Sequence, residues 1–464
     1  MRRLLLLLMI MFGIAGSGFA AVGSALDGDW TGKLNVGNGA SLKLVFHISA
    51  NPDLVVMDSP DQGAFGIETE TLLLSADSLS IRVPKLMMSY EGHLKDGKIE
   101  GIFRQGLASL PLSLERGEAR VVRPQTPVTP YPYSTEEVRI ENEAGESVLA
   151  GTLTLPEGYD STTPVVVLVS GSGLQNRDEE VFGHRPFAVI ADYLARGGVA
   201  SLRYDDRGCG ESAGDAFNAT TDDFASDAAA VVDWLRNGKR FGRVGLLGHS
   251  EGGQIAYKLA ASCQSPDFIV SIAGPAIRGT ETIAYQNKMS LLNSGVSEET
   301  ASAFASALER ALEKKLTEPE GRMLSDAELA ELYPEYTENE VARQLGESIR
   351  SAYASKGDNA WMMYFLGYDP AEDMEKMKVP AMLVYGELDR QVPASLNAVR
   401  AQELAPSAAV KVYPGLNHLM QHAKTGNVAE YAEIEETISP ELLSDILTFI
   451  RQATSVADGP FRSR

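Results

Sequence analysis

The residues of this chain that could do chemistry together are a serine, an acid and a histidine, each placed where an apolar run gives way to a turn. Ser250 lies in Gly248-His249-Ser250-Glu251-Gly252. It follows the apolar run Val244-Gly245-Leu246-Leu247 and precedes Gly253 to Ala260, which reads as a helix. A serine on so sharp a strand-to-helix turn is held in strained backbone geometry, and flanking glycines remove side chains that would clash there. Its hydroxyl stands exposed at the carboxyl end of a sheet, with a helix N-terminus beneath it to favour developing negative charge. That arrangement predicts a nucleophile for acyl transfer.

A serine hydroxyl is a poor nucleophile at neutral pH and needs a base, which in turn needs an orienting carboxylate. The chain has six histidines. His47 and His93 fall in a separate all-β region with no pattern of acids or cysteines around them, and read as strand residues. His184 lies upstream of Ser250, and His249 adjoins it with its side chain expected to point away from the hydroxyl. His418 ends Val412-Tyr413-Pro414-Gly415-Leu416-Asn417-His418, the loop after the last predicted strand, and is assigned as the base. His422, expected one helical turn further on, reads as a supporting or surface residue. The acid comes from Leu383-Val384-Tyr385-Gly386-Glu387-Leu388-Asp389, an apolar strand followed by a glycine turn. Asp389 fits better than Glu387, which leaves the strand too early.

The attacked carbonyl becomes an oxyanion, and each preorganised donor contributes roughly 3–4 kcal/mol in the transition state. One donor is expected to be the backbone N–H of Glu251. The other should come from the small-residue loop Ser170-Gly171-Ser172-Gly173-Leu174, from Ser172 or Gly173, with Leu174 a further option. The run Arg203-Tyr204-Asp205-Asp206-Arg207-Gly208-Cys209-Gly210-Glu211-Ser212 reads as a structural salt-bridge network near the site. Asn218-Ala219-Thr220 fits a glycosylation sequon.

Alternating strands and helices from about residue 135 must position these groups, which implies a mostly parallel sheet with helices on both faces. A hairpin over Glu137–Glu143 and Val148–Leu155 opens it. Buried strands are predicted at Pro164–Val169, Val199–Tyr204, Val244–Leu247, Phe268–Ile272, Ala381–Tyr385 and Val410–Val412. Helices are predicted near Arg185–Ala195 and Asp222–Arg236, with a closing helix from Ser439-Pro440. Between the strands at 268–272 and 381–385 lies an insertion of helical character, expected as a lid over about 275–372. Ser297 caps one of its helices, with Ala301, Phe304, Leu308 and Leu312 on one stripe, and Ser325-x-x-Glu328 is a capping box for another. Residues 28–116 alternate and carry turn signals such as Asp96-Gly97, so a small barrel or sandwich is expected there. The proline-rich segment 117–134 reads as an extended spacer between the two domains.

The chain has 464 residues, 44% of them apolar and 22% charged, an ordinary globular composition long enough for two domains. Its formal net charge of −22 repels nucleic acid and anionic lipid headgroups. Arg2-Arg3, the apolar run from Leu4 to Ile14 and Gly18-Phe19-Ala20 read as a signal peptide cleaved near Ala20, with no stable membrane anchor. The mature protein is therefore expected in the periplasm or outside the cell. The two cysteines, Cys209 and Cys263, are too far apart to bridge in the predicted fold and read as free thiols.

Ser170-Gly171-Ser172-Gly173, Arg203-Tyr204-Asp205-Asp206-Arg207-Gly208, Gly248-His249-Ser250-Glu251-Gly252-Gly253, Gly386-Glu387-Leu388-Asp389 and Leu416-Asn417-His418 together resemble the exported bacterial α/β-hydrolases of the EstD-like carboxylesterase group. The order Ser250, Asp389, His418 is that of the α/β-hydrolases. The group is similar in its catalytic domain to serine aminopeptidases and prolyl oligopeptidases. The resemblance covers about 135–453; it departs at Ser170-Gly171, where many relatives carry His-Gly. It implies an α/β-hydrolase sheet, hydrolysis of short to medium acyl esters through an acyl-enzyme, and no metal or organic cofactor. An aminopeptidase or dipeptidase with the same three residues, binding a peptide amine through Glu251 or Glu211, and a non-catalytic binding protein are the other readings.

Overall fold

The computed structural model describes residues 25–455 apart from 38–39, 51–52, 60–63, 107, 118–122, 263–265, 319–321 and 355–359. The leader-like segment and Cys263 lie outside the described residues. The chain divides into two compact units, Met1–Arg120 and Val121–Arg464.

The first unit is an antiparallel sheet in which the first strand pairs with the last. Its strands are β1 (Gly28–Gly37), β2 (Ala40–Ala50), β3 (Asp53–Ser59), β4 (Ala64–Glu68), β5 (Glu70–Leu74), β6 (Ser78–Val83), β7 (Met88–Lys95), β8 (Lys98–Gln105) and β9 (Ala108–Arg116). They lie in the order β4-β3-β2-β1-β9-β8-β7-β6-β5. The alternation of Ser78–Val83 is realised directly, with Leu79, Ile81 and Val83 buried and the residues between them facing outward. These side chains join Trp30, Phe46 and Tyr90 in one core. Asp96 and Gly97, at φ 49° and 82°, turn β7 into β8 as the sequence predicts.

The second unit is built on an eight-stranded sheet of order β10-β11-β13-β12-β14-β15-β16-β17. The hairpin β10 (Ser134–Asn142) and β11 (Ser147–Leu155) is antiparallel. β12 (Val165–Val169), β13 (Ala200–Tyr204), β14 (Val244–His249), β15 (Ile269–Ile272), β16 (Ala381–Gly386) and β17 (Ala409–Tyr413) run parallel. Strand period sorts the core into two layers. Val165, Val167 and Val169 pack with α2 (Thr221–Gly238), α3 (Glu251–Ala261) and α10 (Ala394–Leu404) on one face. Val166 and Leu168 pack with α1 (Pro186–Arg196) and α11 (Pro440–Ser455) on the other. After β12 the chain leaves for β13 and then crosses back to β14, so the crevice at their carboxyl ends is where such a sheet accepts a ligand.

Between β15 and β16 stand α4 (Gly279–Asn293), α5 (Glu298–Thr317), α6 (Asp326–Leu332), α7 (Glu340–Ala354), α8 (Ala360–Gly367) and α9 (Ala371–Lys376). Ser297 Oγ accepts from the Thr300 amide and caps α5, and Ser325 with Glu328 forms the capping box of α6. Phe304, Leu308 and Leu312 bury their stripe against Leu329, Tyr333, Ile349 and Tyr353, so the insertion carries its own small core.

The described part of the proline-rich segment bonds to the rest of the second unit. Gln125 Oε1 accepts from the amides of Thr437 and Ile438 at 2.6 and 3.1 Å, and Tyr133 donates to Asp192 at 2.9 Å. Prolines remove backbone donors but leave side chains free to bond, and those side chains strap the segment onto the second unit.

Candidate active site

Ser250 sits between β14 and α3 at φ 53° and ψ −116°, a strained conformation for a residue with a Cβ. Its amide donates to the Ile272 carbonyl at 2.8 Å, and its carbonyl accepts from Gly253 N–H at 2.9 Å. A Cβ on Gly248 would lie 1.9 Å from the Gly252 carbonyl oxygen, and one on Gly252 would lie 2.1 Å from that of Val169. Only glycine lets the turn close this tightly against β12. The serine itself is partly exposed at the edge of a buried strand.

Asp389 and His418 meet in the loops after β16 and β17. His418 Nδ1 donates to Asp389 Oδ2 at 2.8 Å, with the carboxylate fully buried and the ring nearly so. The other carboxylate oxygen accepts from the amides of Gln391 and Val392 at 2.8 and 2.9 Å. The two loops are zipped together by backbone bonds, Glu387 N–H to the Tyr413 carbonyl and Leu388 N–H to the Leu416 carbonyl, each 2.9 Å. Glu387 takes the amide of Gly415 instead of the histidine. Asp389 thus fixes the tautomer with its proton on Nδ1 and leaves Nε2 as the nitrogen that can accept one. Among the described residues the Ser250 hydroxyl and the His418 ring share no hydrogen bond. The residue beside the serine makes the link, because His249 Nε2 donates to the His418 carbonyl at 3.0 Å and the two rings lie 4.9 Å apart.

The loop after β12 starts level with the turn at Ser250, since Val169 pairs with Gly248. A Cβ on Gly171 would come within 3.1 Å of the Ser250 Cβ, and the Gly171 amide already donates to Glu179 Oε1 at 2.7 Å. Ser172, Gly173 and Leu174 follow as exposed residues of the same loop, with Gly173 at φ 95°. Glu251 opens α3, where the first amides of a helix have no partner within it. Its side chain is buried and turned elsewhere: Oε1 accepts from Thr221 Oγ1 at 2.6 Å and from Trp361 Nε1 at 2.8 Å. Burial raises the carboxyl above the usual range. Glu211 is held by Arg177 at 2.8 Å. Glu251 is therefore committed inside the protein, whereas Glu211 stays largely exposed.

The charged run after β13 is paired as expected. Arg177 grips Asp205 through Nε and Nη2 at 3.1 and 2.8 Å, and Arg207 grips Asp227 at 2.7 and 2.8 Å. Asp206 accepts from Ser170 Oγ at 2.9 Å and from the Gln175 amide at 2.8 Å. Burial pushes its carboxyl up to about 7, with the charges of Glu251 and Glu179 adding to the rise. Cys209, in this loop, is a free thiol.

Three arrangements differ from or extend the sequence reading. His422 is not one helical turn beyond His418. The chain doubles back there, pairing Leu416 with His422, and the exposed ring bonds Glu436 at 2.8 Å. His47 does have acids around it, bonding Asp29 at 2.7 Å and Asp58 at 2.8 Å across three strands. His184 packs beneath the His418 loop: its Nε2 faces the Tyr431 carbonyl at 3.0 Å and lies 2.9 Å from Gln421, which bonds Asn417, and Nδ1 meets Thr437 at 3.0 Å. Burial lowers His184 to about 4, so it is neutral. Such contacts join residues tens to hundreds of positions apart, and no local pattern in the sequence marks them.

Residues 166–431 match the alpha/beta hydrolase family. The esterase EstD of Thermotoga maritima is 28% identical over 277 residues, covering 59% of this chain and 58% of that protein. The chain therefore spans less than two thirds of the length of that relative. The non-heme chloroperoxidase of Burkholderia pyrrocinia is 25% identical over 244 residues, 49% of this chain and 78% of that one. The structure of Est1E from Butyrivibrio proteoclasticus with bound ferulic acid aligns with a TM-score of 0.43 at 17% identity, over 69% of this chain and 100% of that one. The family match takes in more than half of the chain, from β12 past His418, and this protein belongs to the alpha/beta hydrolase family.

Proposed function

We propose that this chain hydrolyses carboxylic esters of short to medium acyl chains through an acyl-enzyme. The observation that carries the reading is the buried Asp389–His418 pair, held in loops neighbouring the strained turn that exposes Ser250. Ser250 Oγ attacks the acyl carbonyl and passes its proton to His418 Nε2, and the same proton leaves on the departing alkoxide. Water then gives a proton to Nε2 and attacks the acyl-serine, releasing the acid and restoring the hydroxyl. Hydrogen bonds of this kind are often long before substrate arrives and tighten in the complex. The Glu251 amide, with that of Ser172 or Gly173, receives the oxyanion. Because the Gly171 amide is committed to Glu179, Ser172 offers the next one along the loop.

Helices α4–α8 act in this reading as a lid whose aromatic residues line the acyl side. The leader-like sequence assigns the chain to the periplasm or the exterior, and among the described residues no helix is long and apolar enough to cross a membrane. In the second reading, an aminopeptidase or dipeptidase using the same three residues, the largely exposed Glu211 rather than the buried Glu251 would take the peptide amine. The test is turnover of p-nitrophenyl acetate and butyrate by wild type and Ser250→Ala, with fluorophosphonate labelling alongside. A fall of about 10⁴-fold or more and loss of the label are expected. Undiminished turnover by the variant, or failure of the wild type to label, overturns the assignment.

A further inference from the structure

A second histidine–acid pair lies beside the first. Glu179 is 3% exposed, stands at φ 50° and comes from the loop after β12. Its Oε1 accepts from Gly171 N–H at 2.7 Å and from His249 Nδ1 at 2.9 Å. The other nitrogen of His249 faces the His418 carbonyl at 3.0 Å. A carbonyl oxygen can only accept, so Nε2 must carry a proton. At Nδ1 the choice is a proton on imidazole or on carboxylate, and imidazole is the stronger base by about two pH units. The Glu179 charge raises His249 further, against the opposing effect of burial. A neutral ring would leave one lone pair pointing at an acceptor. The groups that face His249 are Glu179, the His418 ring and carbonyl and, behind them, Asp389.

We propose that His249 is a buried imidazolium held by Glu179, and that this pair is the positioning element that fixes the Ser172–Gly173 loop and the His418 loop against Ser250. One end of the clamp holds the loop assigned to the oxyanion through Gly171, and the other holds the backbone of the base. Losing the proton on Nδ1 breaks the Glu179 end, and losing that on Nε2 frees the His418 loop. The sign follows. The imidazolium is lost as pH rises through its raised titration point, so turnover falls on the alkaline side. The inference builds on the serine-hydrolase reading for its effect on rate, while the charge of His249 can be tested without it.

The experiment has two arms. In the first, ¹⁵N-histidine spectra of wild type, assigned with His249→Gln, should show both His249 nitrogens protonated at pH 7.5. In Glu179→Gln that state should give way at least one pH unit lower. In the second, Glu179→Gln should lower kcat for p-nitrophenyl butyrate on the order of 10–100-fold with KM within about twofold, and shift the alkaline limb of the rate profile down with the His249 titration. Glu179→Asp should recover part of the rate. Fluorophosphonate labelling of Ser250 in the wild type reports separately whether the hydrolase reading stands. A singly protonated His249 at pH 7.5 overturns the proposal. So does an unmoved alkaline limb in a Glu179→Gln protein with a wild-type melting curve.

Discussion

Both oxygens of Asp389 are engaged. One oxygen takes two backbone amides and the other takes His418 Nδ1, with the carboxylate wholly out of water. Asp389→Asn can keep the two amide bonds through its carbonyl oxygen, but it then presents an NH₂ group to Nδ1. The ring must switch to the tautomer with its proton on Nε2, where it can no longer accept the proton of Ser250. Ester turnover is expected to fall by about 10³–10⁴-fold at pH 7 with little change in melting temperature, measurable by steady-state kinetics beside a thermal melt. A variant that retains full turnover would remove the acid from the reading. At this scale the strand-end positions of Ser250, Asp389 and His418 were visible in the sequence because each follows a strand whose apolar run and glycine turn announce themselves locally. Glu179 and His184 were not. Their partners lie 70 and 237 positions away, at His249 and Gln421, and nothing in the spacing marks those contacts.

At the scale of elements, α8 and α3 are fastened by more than apolar packing. Trp361 Nε1 reaches Glu251, and Lys258 joins Tyr364 at 2.7 Å and Asp222 at 2.9 Å. Trp361→Phe keeps a large ring stacked on Phe365 but removes the only N–H of the side chain, leaving Glu251 with Thr221 alone. A buried acceptor deprived of a donor costs about 1–3 kcal/mol. Urea unfolding followed by circular dichroism should show that loss in the second unit with an unchanged m value. No loss would mean that another group replaces the indole. The helical stripe and both caps of the insertion were legible, since 3.6-residue periodicity and Ser-x-x-Glu act within one turn or two. That Trp361 would meet the residue after Ser250 was not, because a run such as Trp361-Met362-Met363-Tyr364-Phe365 has no polar face to orient it.

At the scale of the whole molecule, the two units have separate cores, so each can carry its own stability. In the first unit, His47 ties β1, β2 and β3 through Asp29 and Asp58, and the hydrogen bond it donates to Asp58 leads the causes that raise its titration point above 6.5. A group raised on folding stabilises most below its unfolded value, and that stabilisation disappears as pH climbs through the folded one. His47→Gln should therefore cost about 1–2 kcal/mol at pH 6, a range reduced for the partial exposure of the trio. The difference from wild type should shrink steadily on going to pH 9. Hydrogen exchange read by mass spectrometry separates the units: amides of β1–β3 should exchange faster in the variant at pH 6, whereas those of β12 and β14 should not change. Acceleration in both units would mean that the first unit's strands stabilise the second, and equal protection at both pH values would mean that the trio is held by its strands rather than holding them.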